Sequence, residues 1–593
     1  MTMSSPDPEK ASPPGHGHGA GATQNYHQHA ENTGMETIID ENGHEQAPHH
    51  GMSVGQYIKT RFTTLKPAMR PAPNPIRLLR MITGRQWAFF GVAFFAWTWD
   101  AFDFFTVSLT VEELAEDFGK TNTDITWGIT LVLMLRSIGA ILFGIAADRY
   151  GRKWPFVVNN LLFIVLELGT GFSQTYSQFL ACRALFGIAM GGLYGNAAAT
   201  ALEDLPPAAR GLMSGLLQQG YAFGYLLATA FARGLVNTTS HGWRPLFWFG
   251  ACPPVLIIGL RLLLPETEIY EQHASVRRTA RATAHGSGDR DKGGVSATFL
   301  RQGKVALKKH WLILIYLVLL MAGFNFMSHG SQDLYPTMLR SQYSFGANAV
   351  TVTQVVANLG AMSGGIVVGY VSQIFGRRIS IIVMCIIGGA LLYPYTFISS
   401  HVIIAPAFFE QFAVQGAWGV IPIHLMELSP GAFRTFVVGT SYQLGNLVSS
   451  ASSTIESTIG ERFPLEKNGG TGKVERYEYG KVICIFMGCV YAYVILLTLV
   501  GPEYLGRSFD VSEDEDVREV AGEEVVRAAA VANHGERHGY GHGERGYEQE
   551  RYGLGGDGVG SAGSGSDAIE QGVMGRKSVE GGGHGQGKEV ERV

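Results

Sequence analysis

Long apolar runs, each bounded by short polar connections, dominate the middle of the chain. They fall at 87–109, 125–147, 154–173, 178–200, 211–235 and 243–264, and again at 310–330, 348–372, 378–398, 402–425, 432–456 and 479–500. A bilayer's hydrocarbon core, about 30 Å thick, is crossed by about 20 apolar residues in a helix, so each run is long enough to span it. The pattern therefore predicts an all-α membrane protein with twelve transmembrane helices in two six-helix bundles. Five parts follow along the chain: a disordered N-terminal tail over 1–86, a first bundle over 87–264, a linker over 265–309, a second bundle over 310–500 and a disordered C-terminal tail over 501–593.

Charge orients this array. Arg149, Arg152 and Lys153 lie between the second and third runs, Arg377 and Arg378 between the eighth and ninth, and Arg277, Arg278, Arg281, Lys308 and Lys309 in the linker. Basic connections stay on the cytoplasmic side, which places both termini there as well. The first connection, with Glu112, Glu113, Glu116, Asp117 and Asp124 against Lys120, then faces out. The two halves also repeat one another. Gly144 to Lys153 (GIAADRYGRK) recurs as Gly369 to Arg378 (GYVSQIFGRR), and Glu203, Arg210 and Gln219 recur as Glu427, Arg434 and Gln443 with the same internal spacing. A duplicated bundle around a central site is how alternating access is built.

The repeated loop resembles the signature of the major facilitator superfamily, G-x-x-x-D-R-x-G-R-K, in Gly144, Asp148, Arg149, Gly151, Arg152 and Lys153. The resemblance covers 87–500 and implies a gating loop there. The second copy departs from the signature, with Gln373 in place of the acid, so a charge latch is expected to be stronger in the first half.

A charged side chain at the bilayer centre costs about 2.5–3.5 kcal/mol on insertion scales, so each one is a functional candidate. These are Asp100 and Asp103 in the first run, Arg136 in the second, Glu167 in the third, Arg183 in the fourth, Asp333 in the seventh and Glu410 in the tenth. Glu167 and Arg183 are expected to pair. Arg233, Arg261 and Glu456 lie near span ends and are expected to reach the interface as anchors. Asp100 and Asp103 stay open between proton handling at a cavity and an ion pair within the bundle.

The seventh run carries the densest polar stretch, Asn325 to Thr337. Asn325, His329 and Asp333 are spaced i, i+4, i+8, which aligns them on one face of a helix. A histidine one turn from a carboxylate inside a membrane is a titratable pair able to hold or pass a proton. The stretch also resembles, at Asn325, Ser328, His329, Ser331, Gln332, Asp333 and Thr337, the N-x-x-[ST]-H-x-[ST]-Q-D-x-x-x-T signature of the fungal Jen-type carboxylate:proton symporters. That resemblance implies uptake of lactate, pyruvate, acetate, succinate or malate with protons across the plasma membrane.

Arg136 and the pair Gln443 and Asn446 look like that family's substrate path. A guanidinium stays charged and forms two parallel hydrogen bonds to a carboxylate, and the amides can orient a further polar group. The candidate substrate-binding residues are thus Arg136, Asn325, Ser331, Gln332, Gln443 and Asn446, and the proton-coupling candidates are His329, Asp333, Asp100 and Asp103. Proton loss from Asp333 on the inner side is expected to let it compete for Arg136 and drive anion release. Alternatives of other kinds are a sugar or other organic-solute transporter of the same fold and a non-transporting carboxylate sensor.

The remaining composition narrows this picture little. Of 593 residues, 46% are hydrophobic and 16% charged, with a formal net charge of −4, which excludes a basic nucleic-acid binder. No enzyme is expected, because nucleophile–base and nucleotide-loop arrangements are lacking, and no cofactor or metal is expected. Cys182, Cys252, Cys385, Cys484 and Cys489 lie in apolar runs and imply no disulfide framework. The tail histidines, including His16, His18, His49 and His50, read as part of a polar tail. Lysines and serines such as Lys577 and Ser578 offer sites for trafficking or ubiquitylation machinery, and Asn237-Thr238-Thr239 is an acceptor-type sequon.

Overall fold

The computed structural model describes residues 54–65, 73–120, 122–236, 238–286, 295–460, 462–463 and 478–509. The tail histidines, Asn237 of the sequon and the Lys577/Ser578 region lie outside the described residues. Helices account for nearly all of the described chain, and no strand occurs among the described residues. With no water in the bilayer core, a spanning segment must satisfy its own backbone, and a helix does so internally. The spans form two six-helix bundles. Among the described residues, eight helices are long and apolar enough to cross a membrane, including Trp127–Tyr150, Lys153–Gly171 and Tyr479–Val500.

The first, fifth and tenth spans, Gly84–Leu109, Arg210–Leu235 and Ile404–Leu428, are helical but carry buried polar groups. In the tenth these are Glu410, Gln411, Gln415, His424 and Glu427. Such helices face protein rather than lipid, which lowers their apolarity without lowering their burial. Capping boxes start two spans: Thr83 with Gln86 opens the first, and Thr175 with Gln178 opens the fourth.

Several spans are interrupted. The sixth consists of Arg244–Gly250 and Cys252–Leu263, joined at a Pro253-Pro254 step, and the eleventh of Arg434–Ser449 and Ser452–Gly460. The seventh starts earlier than its apolar run, at Val295, and continues to Gln332. It breaks at Asp333-Leu334 and resumes as a short turn, Tyr335–Thr337, followed by a π-helical turn, Met338–Gln342. Pro336 has no amide hydrogen to extend the ladder, which accounts for the break. The linker contains a helix of its own, Glu268–Gly286.

The bundles meet through the second span on the eleventh and the fifth on the eighth and tenth. At the end bearing the repeated basic loops the approach is close because glycines face one another: a side chain at Gly211 or Gly215 would strike the backbone of Gly369 or Gly365. In both repeated loops a glycine, Gly151 or Gly376, sits at φ +100, a conformation other residues rarely adopt. The duplication visible in the sequence is therefore also one of backbone geometry.

Candidate functional site

Four helices bring the candidate residues to the centre. Arg136, on the second span, is 1% exposed; its Nη2 lies 3.9 Å from Asp100 Oδ2 of the first span and 3.0 Å from Met190 Sδ, and its guanidinium stands 4.8 Å from the Phe104 ring centroid. Asp100 thus lies within ion-pair distance of Arg136. At that separation the pair is held by charge more than by hydrogen bonding, and Nη2 donates to Met190 Sδ.

On the seventh span His329 Nδ1 lies 3.2 Å from Asp333 Oδ2, and both side chains are partly exposed. The break after Gln332 puts Asp333 just past the helix end, with its amide still bonded to the His329 carbonyl. His329 lies within electrostatic reach of the Asn446 side chain, and Asn446 donates to Gln443 Oε1 at 3.1 Å. Ser137, one residue from Arg136, donates to the Gln443 carbonyl at 3.1 Å. One chain of contacts therefore runs from the second span through Gln443 and Asn446 to His329 and Asp333. The seventh and eleventh helices are both interrupted near it, a place where backbone irregularity marks transporter sites.

The other candidates lie around this chain. Asn325 is buried and donates to the Met321 carbonyl of its own helix, Ser331 bonds to the Ser328 carbonyl, and Gln332 reaches Gln411 of the tenth span at 2.8 Å. Asp103, one turn from Asp100, is separate from them. It is fully buried in the first bundle near Gly250 and Glu167, and Glu167 pairs with Arg183 at 3.2 Å. Gln219 packs against Gly365 and bonds to its own helix.

The loop signature closes one end of the molecule. Asp148 accepts the amides of Thr435 and Phe436 at 3.3 and 2.8 Å, across the bundle interface, and pairs with Arg152 at 3.3 Å. Arg152 binds Glu203, which also faces Arg434 at 3.7 Å. Gly144 lies against the Phe436 backbone, Lys153 donates to the Leu262 and Leu264 carbonyls, and Tyr270 donates to the Arg149 carbonyl. Asp204 caps the linker helix by accepting the Glu268 and Ile269 amides. Burial raises its carboxyl to about 6, against the opposing pull of those two amides.

Sequence reasoning missed several of these features. Of the three presumed interface anchors, Arg261 and Glu456 are fully buried, and Arg261 bonds to the Pro265 carbonyl and Glu266. Span-end position alone cannot tell a lipid-facing arginine from one that holds a loop. Beside the central residues the Tyr194 and Tyr442 rings, one from each bundle, stack at 4.0 Å with Trp97 against Tyr194. No cluster able to hold a metal ion occurs among the described residues.

Fold and buried charges together define a polytopic membrane transporter of the major facilitator type. A family model described as "Sugar (and other) transporter" matches residues 82–514, and the chain belongs to that family. It is 40% identical over 487 residues, 81% of this chain and 78% of the relative, to a carboxylic acid transporter protein homolog of Saccharomyces cerevisiae. It is 26% identical to a cis,cis-muconate transport protein of Acinetobacter baylyi, covering 62% of this chain and 85% of that one. The solved structure of a proton:xylose symporter of the superfamily superposes with a TM-score of 0.57 at 17% identity, covering 74% of this chain and 99% of that one. The family consists of transporters, not enzymes.

Proposed function

We propose that this protein carries short-chain carboxylates, such as lactate, pyruvate, acetate, succinate or malate, together with protons across the plasma membrane by alternating access. The observation that carries this reading is the contact chain between a buried arginine and a histidine–aspartate pair. Likeness to a carboxylic acid transporter homolog and to a muconate carrier supports the substrate class. The basic loops face the cytoplasm by the positive-inside rule, so both termini are cytoplasmic and the closed end is the inner one. The conformation is then outward-facing, consistent with the partial exposure of His329 and Asp333.

In this state a proton is taken by the His329/Asp333 pair and the anion displaces Asp100 from the Arg136 fork, helped by Gln443 and Asn446. Asn325, Ser331 and Gln332 shape the wall of the same site. Proton and anion cross as a neutral load. Release follows when Asp148 and Arg152 let go of the eleventh helix and Glu203, the inner end opens, and the proton leaves. Asp100 then reclaims Arg136 and expels the anion. Domain boundaries at 87–264 and 310–500 give the two rocking bodies, joined by the linker over 265–309. The tails over 1–86 and 501–593 would carry trafficking or ubiquitylation sites such as Lys577.

Uptake of labelled lactate and succinate into vesicles containing the protein, at acidic and neutral pH and with an uncoupler, tests the reading. Acid-stimulated, uncoupler-sensitive carboxylate accumulation is expected. Uptake of neutral sugar with no carboxylate uptake would overturn it, and binding without uptake would make the protein a sensor.

A further inference from the structure

Glu456 was expected at the lipid interface, yet its side chain is completely buried and neither carboxylate oxygen has a hydrogen-bond partner among the described residues. It lies on Ser452–Gly460, the outer segment of the broken eleventh helix, which packs on the seventh and twelfth spans. The internal repeat sets Ala232 at the matching position of the fifth span, so packing of this helix end does not itself call for an acid. A buried carboxyl without donor or cation is cheapest to keep with a proton on it.

The groups around it define its company. From the seventh span the Asp333 charge reaches Glu456, and Asp333 is held to His329. From the ninth, the Tyr395 phenol is within its electrostatic reach, with the hydroxyl committed to the Ser331 carbonyl. On the twelfth, Tyr479 lies against Gly460, while Lys481 at the mouth is paired with Glu478 and Tyr491 with Glu410. Glu456 thus lies within electrostatic reach of Asp333, the acid of the proton pair, on a segment packed against the seventh span.

We propose that Glu456 is a positioning residue of the proton relay: it shares with Asp333 the single proton taken up in each cycle and so sets the pH at which the carrier loads. This rests on the reading of His329 and Asp333 as the proton pair. When the pair is empty, repulsion between two carboxylates favours capture of one proton. Loading moves a proton from water to a carboxylate oxygen of the pair, where an O–H bond forms, and unloading returns it to water on the other side.

The test is carboxylate uptake as a function of pH for the native chain, Glu456→Gln, Glu456→Asp and Asp333→Asn, normalised to protein in the membrane, beside substrate counterflow without a proton gradient. Glu456→Gln should keep counterflow while its uptake curve moves to the acid side by about one pH unit, a tenfold change in proton concentration. Glu456→Asp should move it less, in the same direction, and serves as the measurement if the glutamine variant fails to reach the membrane. A curve that superimposes on the native one overturns the proposal, as does joint loss of uptake and counterflow in both Glu456 variants. A native curve in Asp333→Asn would instead refute the underlying relay. A flat curve in Asp333→Asn beside an unmoved one in Glu456→Gln would refute only the role of Glu456.

Discussion

The two bundles share a frame and differ in the charges that they bury. Arg152 with Glu203 and Arg377 with Glu427 are the same pair in two copies, at 2.9 and 3.0 Å. Inside the spans the likeness ends. The first bundle matches two of its acids with arginines, Asp100 with Arg136 and Glu167 with Arg183, and leaves the Asp103 carboxylate without a hydrogen-bond partner among the described residues. The second sets its acids against groups that can be neutral: Asp333 against His329, Glu410 against the Tyr491 hydroxyl, and Glu456 against no hydrogen-bond partner among the described residues. Within the spans, the first half thus pairs buried acids with arginines at Arg136 and Arg183, and the second half has no such acid–arginine pair among the described residues.

The sharpest way to break this contrast is to remove one partner from each half. Arg183→Ala leaves Glu167 buried without its cation and should cost about 3–5 kcal/mol, whereas Glu410→Gln removes a carboxyl that has no cation to orphan and should cost about 1 kcal/mol. Thermal unfolding of the purified proteins in detergent measures both. Equal losses would erase the distinction between the halves. A smaller effect is expected at the site itself. Arg136→Lys keeps the charge but loses the two-pronged hydrogen bonding, about 1.5–3 kcal/mol for bonds to a charged group, or roughly a 10- to 100-fold rise in the carboxylate KM. On the proposed reading its pH profile should be unchanged, because the proton would be taken up by His329 and Asp333 of the other half.

How far the sequence alone reaches is set by the range of the physics involved. Span number and the six-plus-six repeat are local or periodic properties, so apolar run length and the two GR-containing loops suffice for them. The His329–Asp333 contact is equally local, one helical turn in the same chain. Partners of buried charges are not, since they are decided by helix rotation and approach. Thus Arg136 meets Asp100, 36 positions away, and Asp148 bonds to amides 287 and 288 positions away. Breaks in the seventh and eleventh helices had only Pro336 and a run of serines to announce them. Glu456 looked like an anchor because its helix was read as ending in lipid, when the segment turns inward against the seventh span.

The linker gives a pH-dependent refinement. Asp204 caps the helix Glu268–Gly286, while the repeat places Leu428 at the equivalent position of the second half. With a folded value of about 6 against an ordinary 3.8, the carboxyl holds its proton in the folded chain where the unfolded chain has released it. Its contribution is complete below the ordinary value and is lost as pH rises through about 6, amounting to about 3 kcal/mol. Asp204→Asn should flatten the fall in melting temperature between these two pH values. An unchanged slope would place the titration elsewhere.

The smallest effect should come from the latch, where one half has a carboxylate and the other a neutral amide on a side chain one methylene longer. Asp148 and Gln373 occupy matching positions, but Asp148 accepts two amides across the interface whereas Gln373 accepts from Arg377 within its own half. Asp148→Asn keeps one carbonyl oxygen as acceptor and removes the charge that strengthens both bonds, a loss of about 1 kcal/mol. The closed inner end is then populated about fivefold less relative to the open one. Labelling of a single cysteine introduced on the inner face should accelerate by that factor in Asp148→Asn, and by less in Gln373→Ala. A larger effect at Gln373 would mean that the second half carries the latch after all. The contrast between the two halves would then no longer extend to the gate.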